Sequence, residues 1–237
     1  MRLSIIICAY NERNSILQIL DRVRQVELEP GWDKEIIVVD NFSTDGTREL
    51  LQAVNAPDIR VVFHPRNLGK GASIRSGIAH AAGDYAVIQD ADTEYDPADL
   101  ARLLRRAIEV DADAIFGSRV LGGQRRYKYA HAYWGMRSLS LFTNLLCGSR
   151  LTDVGVATKM ARTAILRSLN LRGENFDLDF ELPVKLLRAG HTIHEMPITY
   201  NPRTYEEGKK IQVRDGLRAF WVILRERFRP FKVAPGQ

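Results

Sequence analysis

Three carboxylates stand two residues apart at Asp90, Asp92 and Glu94, just after the run Val87-Ile88-Gln89. In an extended or turning backbone side chains alternate with a period of two, so all three can turn the same way. Converging carboxylates repel one another unless a cation lies among them, and hard oxygen ligands of this kind suit Mg²⁺ or Mn²⁺ shared with substrate phosphates. The plain alternative is a solvated acidic turn before a helix that Pro97 starts, because an isolated D-x-D recurs by chance.

Other polar stretches could hold parts of a nucleotide. Tyr10 can border or stack on a base, and Asn11 and Glu12 offer hydrogen bonds to base or ribose. Asp40 ends an apolar run, placed to accept from a base nitrogen or a ribose hydroxyl. Asn67-Leu68-Gly69-Lys70-Gly71 opens a helix, where free N–H groups, a lysine and glycines such as Gly71 suit an anion. Each stretch has an ordinary reading as well: Ser43-Thr44-Asp45-Gly46 as a turn and helix cap, the glycines as relief of backbone strain. The glycine spacing is neither that of a dinucleotide fingerprint nor that of a P-loop.

These loops need a scaffold to bring them together, and the pattern between them supplies one. Short β-branched runs at 3–9, 35–40, 59–63, 85–89 and 114–117 alternate with amphipathic stretches at 16–23, 47–54, 74–82 and 100–110. The fold class is α/β, a single open, mostly parallel sheet flanked by helices, whose ligands bind beyond the carboxyl ends of the strands. The polar stretches 9–12, 40–46, 64–71 and 90–92 then share one edge. Farther on, 122–129 is glycine-rich, basic and aromatic, as lids over sites often are. The pattern predicts helices over 130–147 and 176–186, the second with Asp177, Asp179 and Glu181 near its start, as the helix dipole prefers. A strand follows at 193–200. The stretch 211–229 predicts a helix with Leu217, Phe220, Trp221, Leu224 and Phe228 as an apolar stripe among arginines; such a helix lies in a membrane interface or packs on its domain.

Composition narrows the partners. The 237 residues are 45% hydrophobic and 27% charged, as in a globular chain, and the net charge of +5 favours anionic partners. No nucleic-acid-reading module is recognisable. Cys8 and Cys147 match no metal or redox spacing, which suits a reducing, cytoplasmic compartment. The apolar run at 3–9 stops at Tyr10-Asn11-Glu12 without a cleavage site and reads as a first strand, not a signal peptide. No apolar run approaches the ~18 residues of a membrane span, so membrane contact would be peripheral, at the cytoplasmic face.

Ile6-Ile7-Cys8-Ala9-Tyr10-Asn11-Glu12, Val38-Val39-Asp40-Asn41-Phe42-Ser43-Thr44-Asp45-Gly46-Thr47, Asn67-Leu68-Gly69-Lys70-Gly71 and Gln89-Asp90-Ala91-Asp92, in this order, resemble the successive signatures of family 2 glycosyltransferases with the GT-A fold. Within that family the chain is most similar to polyprenyl-phosphate hexose synthases, such as the dolichyl-phosphate mannose synthases. The resemblance implies a nucleotide-sugar donor (a GDP- or UDP-hexose), a divalent cation and an inverting transfer. By it Asp90, Asp92 and Glu94 hold the metal and diphosphate, with Ala91 between them, while Ala9, Tyr10, Glu12, Asp40 and Lys70 border the nucleoside. Where the family often has Asp, this chain has Asn41. Arg119, at the end of the strand 114–117, could clamp a phosphate with its planar fork. Arg137 and Ser140 fall where the family contacts the acceptor phosphate. The family segment D-x-x-S-G-[FY]-R is met by Asp153 and, in place of arginine, Lys159, with its centre lost. Asp179 and Glu181 fall near the sugar. R-x-Y-x-E-S-K is matched at Arg203, Tyr205, Glu207 and Lys209, with Gly208 for Ser; Arg203 and Lys209 are implied contacts of the donor diphosphate or acceptor phosphate.

The division expected is a GT-A domain over 1–210, with a nucleotide-sugar and metal half to about 112 and an acceptor half from 113, and a basic amphipathic helix and tail over 211–237. The expected activity is metal-dependent hexosyl transfer to a polyprenyl (dolichyl or undecaprenyl) phosphate, carried by Asp92, Arg119, Asp179, Arg203 and Lys209. An acceptor phosphate is already anionic and needs no base; a hydroxyl acceptor would, and Asp179 is then the candidate. A sugar nucleotidyltransferase and a non-catalytic nucleotide-sugar-binding module are the rival classes. The first lacks its early glycine- and arginine-rich loop here, since 9–12 stands in that place.

Overall fold

The strand at 3–9 reads Leu-Ser-Ile-Ile-Ile-Cys-Ala, and a strand so continuously apolar must be covered on both faces. In a computed structural model, which describes residues 1–123, 129–203 and 213–230, it is the centre of a seven-stranded sheet. The strands are β1 (Arg2–Ala9), β2 (Asp33–Asp40), β3 (Ile59–Phe63), β4 (Tyr85–Asp90), β5 (Ala114–Ser118), β6 (Lys159–Arg162) and β7 (Ile193–Pro197), in the order β3-β2-β1-β4-β6-β5-β7. The helices are α1 (Ile16–Gln25), α2 (Thr47–Gln52), α3 (Lys70–His80), α4 (Asp99–Glu109), α5 (Ala130–Cys147), α6 (Thr163–Ser168), α7 (Asp177–Arg188) and α8 (Val213–Phe228).

Alternation sorts each strand between two cores. Ile5, Ile7, Ile36 and Val38 face one side, where α1 and α4 cover them. Ile6, Ile37 and Val39 face the other, against α3 and α7. All neighbours are parallel except β6, which runs antiparallel between β4 and β5. This strand and α6 were not expected, because Lys159-Met160-Ala161-Arg162 is too short and too charged at its ends to show a period. Its reversal matters: the parallel strands bring their last residues to the site edge, whereas β6 brings its first, Lys159, opposite Phe116.

Helix α3 starts at Lys70, inside the stretch 67–71 read as opening a helix, and β7 ends at Pro197, after which Tyr200 makes an isolated bridge to Tyr95. A third core joins α5, α7 and α8 through Leu139, Leu151, Val154, Val184, Ala219 and Ile223. One face of α8 therefore packs on the domain.

Candidate active site

The strand order reverses between β1 and β4, and the crevice beyond their carboxyl ends opens into a cavity of about 340 Å³. Ala9, Tyr10 and Glu12 line it from the end of β1, and Asp90, Ala91, Asp92 and Glu94 from the end of β4. Asn41, Asn67, Gly69 and Lys70 close the nucleotide side; Arg119, Asn175, Phe176, Asp179, Tyr200 and Arg203 close the other.

Its charges are shared among several partners. Lys70 Nζ lies 2.9 Å from Asp90 and 3.6 Å from Asp179, and Lys159 Nζ lies 3.8 Å from the second oxygen of Asp179. Burial lowers the Lys70 amine, but Asp179 and Asp90 outweigh it and hold its pKa above the usual lysine range. Arg203 donates through Nη2 to Asp92, and lies 3.5 Å from Glu12 and 3.5 Å from Glu94. Even so, burial and the adjacent Asp90 push the Asp92 carboxyl up to about 7.

Arg119 is fixed rather than poised. Asp153 grips it bidentately, with Nε and Nη2 each donating at 2.7 Å, and also accepts from its backbone N–H at 3.0 Å. Tyr95 OH accepts from Nη1 at 3.2 Å and the Tyr200 ring covers the guanidinium. The Asp153 of the weakened family segment thus serves as the holder of Arg119.

Asp90 and Asp92 stand together at the end of β4 on one cavity wall, and their hard carboxylate oxygens are of the kind that fit a divalent cation. Glu94 lines the cavity beside Asp90 and Asp92, and both its oxygens have partners of their own. Its Oε2 accepts from Tyr200 OH at 3.1 Å and its Oε1 from the Arg203 backbone N–H at 2.8 Å, so it ties the β4 loop to 200–203. Among the described residues no three His, Cys, Asp or Glu side chains are grouped as a metal site. A cation on Asp90 and Asp92 would complete its shell with diphosphate oxygens and water.

Several other expected residues do not line the cavity. Asn11 Oδ1 accepts from Thr44 N–H at 2.9 Å, stitching the β1 loop to the β2 loop. Asp40 is fully buried behind the wall, 3.0 Å from Arg48 and accepting from Ser43 N–H. Gly71 serves packing: a Cβ there would stand 2.4 Å from Gly173 O. The amide of Ala72, one residue on, donates to Glu174 O at 3.1 Å, so this helix start meets a carbonyl of its own chain where an anion was expected. On the acceptor side, Arg137 donates to Thr152 O at 2.9 Å, and buried Ser140 accepts from Val154 N–H at 3.1 Å; both fasten α5 to the 152–154 segment. Lys159 is buried and faces Asp179, and Glu181 is buried against Arg172 N–H, Gly173 N–H and Lys185. Tyr205, Glu207, Gly208, Lys209 and the loop residues 124–128 lie outside the described residues.

Cavity residues that the sequence did not single out include Tyr95, Asn175, Phe176 and Tyr200. Only Asn41 carried a signal, as a departure from the family's Asp. Its Nδ2 donates to Asn67 Oδ1 at 2.8 Å while its Oδ1 accepts from Leu68 N–H at 2.8 Å, a double role that a carboxylate cannot fill.

A family model described as Glycosyl transferase family 2 matches residues 4–169. The chain is 30% identical over 251 residues to an undecaprenyl-phosphate mannosyltransferase of Micrococcus luteus, covering 96% of this chain and 99% of that protein. It is 28% identical to an undecaprenyl-phosphate 4-deoxy-4-formamido-L-arabinose transferase of Pseudomonas aeruginosa over 89% of this chain, and spans only 61% of that longer relative. Among solved structures, glucosyl-3-phosphoglycerate synthase from Mycobacterium tuberculosis with uridine diphosphate superposes with a TM-score of 0.71 at 19% identity, over 96% of this chain and 80% of that one. The sheet and its flanking helices are thus those of GT-A glycosyltransferases.

Proposed function

The chain belongs to glycosyl transferase family 2 and is a glycosyltransferase, and from that premise we propose that it moves a hexose from a nucleotide sugar to the phosphate of a polyprenyl phosphate. The observation that carries this reading is the pairing of Asp90 with Lys70 and of Asp92 with Arg203 across one cavity at the sheet's switch point. Carboxylates and cations so paired can be re-partnered by a cation and a diphosphate without leaving a buried charge alone. The named activities of the Micrococcus and Pseudomonas relatives support a polyprenyl-phosphate acceptor.

In this reading Tyr10, Asn41 and Asn67 border the nucleoside. Asp90 and Asp92 would hold Mg²⁺ or Mn²⁺, which when bound offsets charge on the departing nucleoside diphosphate. Arg203 turns its planar fork from the carboxylates to the diphosphate as that charge develops. Arg119, held in place by Asp153, keeps its guanidinium at the cavity wall, where it can meet the acceptor phosphate without reorganising during reaction. A phosphate oxygen of the acceptor attacks the anomeric carbon, the bond to the diphosphate breaks, and its electron pair leaves with the diphosphate. No proton need be removed.

One observation favours a second reading, a hydroxyl acceptor: Asp179 Oδ1 is buried, lies on a cavity-lining side chain and has no hydrogen-bond partner among the described residues. It could accept from an attacking hydroxyl and take its proton. The test is a screen of GDP- and UDP-hexoses with Mg²⁺ or Mn²⁺, with polyprenyl phosphate or soluble hydroxyl compounds, read as glycosylated product. Product on the lipid phosphate is expected, with an Asp179→Asn enzyme still active. Transfer to hydroxyls alone, lost in Asp179→Asn, would establish the second reading instead.

A further inference from the structure

Helices α5 and α8 lie side by side on the outside of the third core. The rings of Phe142 and Phe220 meet at 5.3 Å, and farther along both helices Arg227 Nε donates to Leu146 O at 2.7 Å, so the two run in the same sense. Beside this seam, on the side turned from the core, each helix keeps large apolar side chains in water. On α5 they are Trp134, Leu141 and Leu145; on α8 they are Leu217, Trp221, Leu224 and Phe228, and all are between 37% and 80% exposed. Steps of four, three and four put the α8 set on a single stripe.

The fold does not need that stripe. The residues that hold α8 to the domain, Ala219, Val222 and Ile223, are on its opposite face and buried. Large apolar side chains gathered on one surface mark a contact. The charge around them says of what kind. Arg227 flanks the stripe on the seam side, and Arg218, Arg225 and Arg229 on the other. The acids that pair with Arg218 and Arg225, namely Asp177 and Glu226, are themselves buried. Helix α5 has no acidic residue, and among the described side chains of α8 the sole carboxylate is Glu226. Trp, Phe and Leu rimmed by arginine, with no exposed carboxylate among the described side chains of the two helices, suit a lipid interface with anionic headgroups. Among the described residues no helix is long and apolar enough to cross a membrane, so contact through these helices is contact along their sides.

We propose that α5 and α8 together form a lipid-facing surface by which the chain docks, lying flat, on an anionic bilayer. This inference rests on the surface and not on the nature of the acceptor. The full chain would be sedimented with phosphatidylcholine vesicles, with and without phosphatidylglycerol and free of polyprenyl phosphate. Binding to the anionic vesicles is expected, weakened at least about tenfold in a Leu145→Ser/Trp221→Ser variant whose thermal melt matches the wild type. An Arg225→Gln/Arg229→Gln variant should lose the preference for phosphatidylglycerol. Wild-type protein that binds neither vesicle overturns the proposal, as does a wild-type dimer in equilibrium sedimentation that the Leu145/Trp221 substitutions dissociate. Transfer to detergent-dispersed polyprenyl phosphate, measured in parallel, reports on the acceptor separately.

Discussion

Asp92 sits on the cavity wall between Asp90 and Arg203. Burial and Asp90 hold its carboxyl near 7 although Arg203 lies against it. Asp92→Asn removes that repulsion, so the thermal melt should be unchanged or higher while product formation falls about 10²- to 10³-fold, the size of loss found when one charge-stabilising group is removed. A variant with wild-type turnover would discard the assignment. Lys159 is the basic counterpart: burial lowers its amine to about 8, against the opposing pull of Asp179. The unfolded amine titrates near 10.5, so between about pH 8 and 10.5 the unfolded chain holds the extra proton. Stability should therefore rise with pH across that window, by up to about 1.4 kcal/mol per pH unit, and urea unfolding of Lys159→Met should lack the rise. Asn41 yields a third expectation. Asn41→Asp would set two acceptors against each other at the present 2.8 Å contact with Asn67 Oδ1, and urea denaturation should register a loss of about 1–3 kcal/mol.

At the scale of elements, what could be read from sequence follows from burial. Strands β1, β2 and β4 are covered on both faces, so they appear as unbroken apolar runs, and the loops at their ends are marked by abrupt polarity. The switch-point crevice was legible for that reason, along with Ala9, Tyr10, Asp90 and Asp92 on it. Strand β6 was not, because four residues with Lys and Arg at the ends leave no period to read. Its absence from the expected fold also misplaced Lys159. Side chains whose role is to fasten one loop to another, such as Glu94, Ser140 and Glu181, share residue type and position with ligands, and only three-dimensional partners separate the two. The glycines before α3 show the same ambiguity. Gly69, at φ +90°, and Gly71 both stand where a Cβ would strike the 173–175 loop. Gly71→Ala should push that loop off α3, costing about 1–3 kcal/mol by the usual effect of overpacking. A shift in the amide signals of Gly173 and Asn175, with loss of donor affinity, would accompany it.

For the molecule as a whole, α8 belongs to the folded body. Its buried Ala219 and Ile223 complete a core with α5 and α7, and Arg218 pairs with Asp177 at the start of α7. Truncation after residue 212 should uncover that core and lower the melting temperature by several degrees, or leave the product insoluble, since about 1 kcal/mol shifts a domain of this size by roughly 2–4 °C. An unchanged melt would mean that the helix is only an attachment. The position of β6 also bears on how the chain assembles. Strands β4 and β5, separated by one helix, are not neighbours; each must wait for residues 159–162 to arrive between them. During synthesis both strands thus emerge with an open edge, and two unsatisfied edges are the places where growing chains pair with one another. Nascent fragments ending before residue 159 should aggregate, whereas fragments that include Arg162 can fill the gap between β4 and β5.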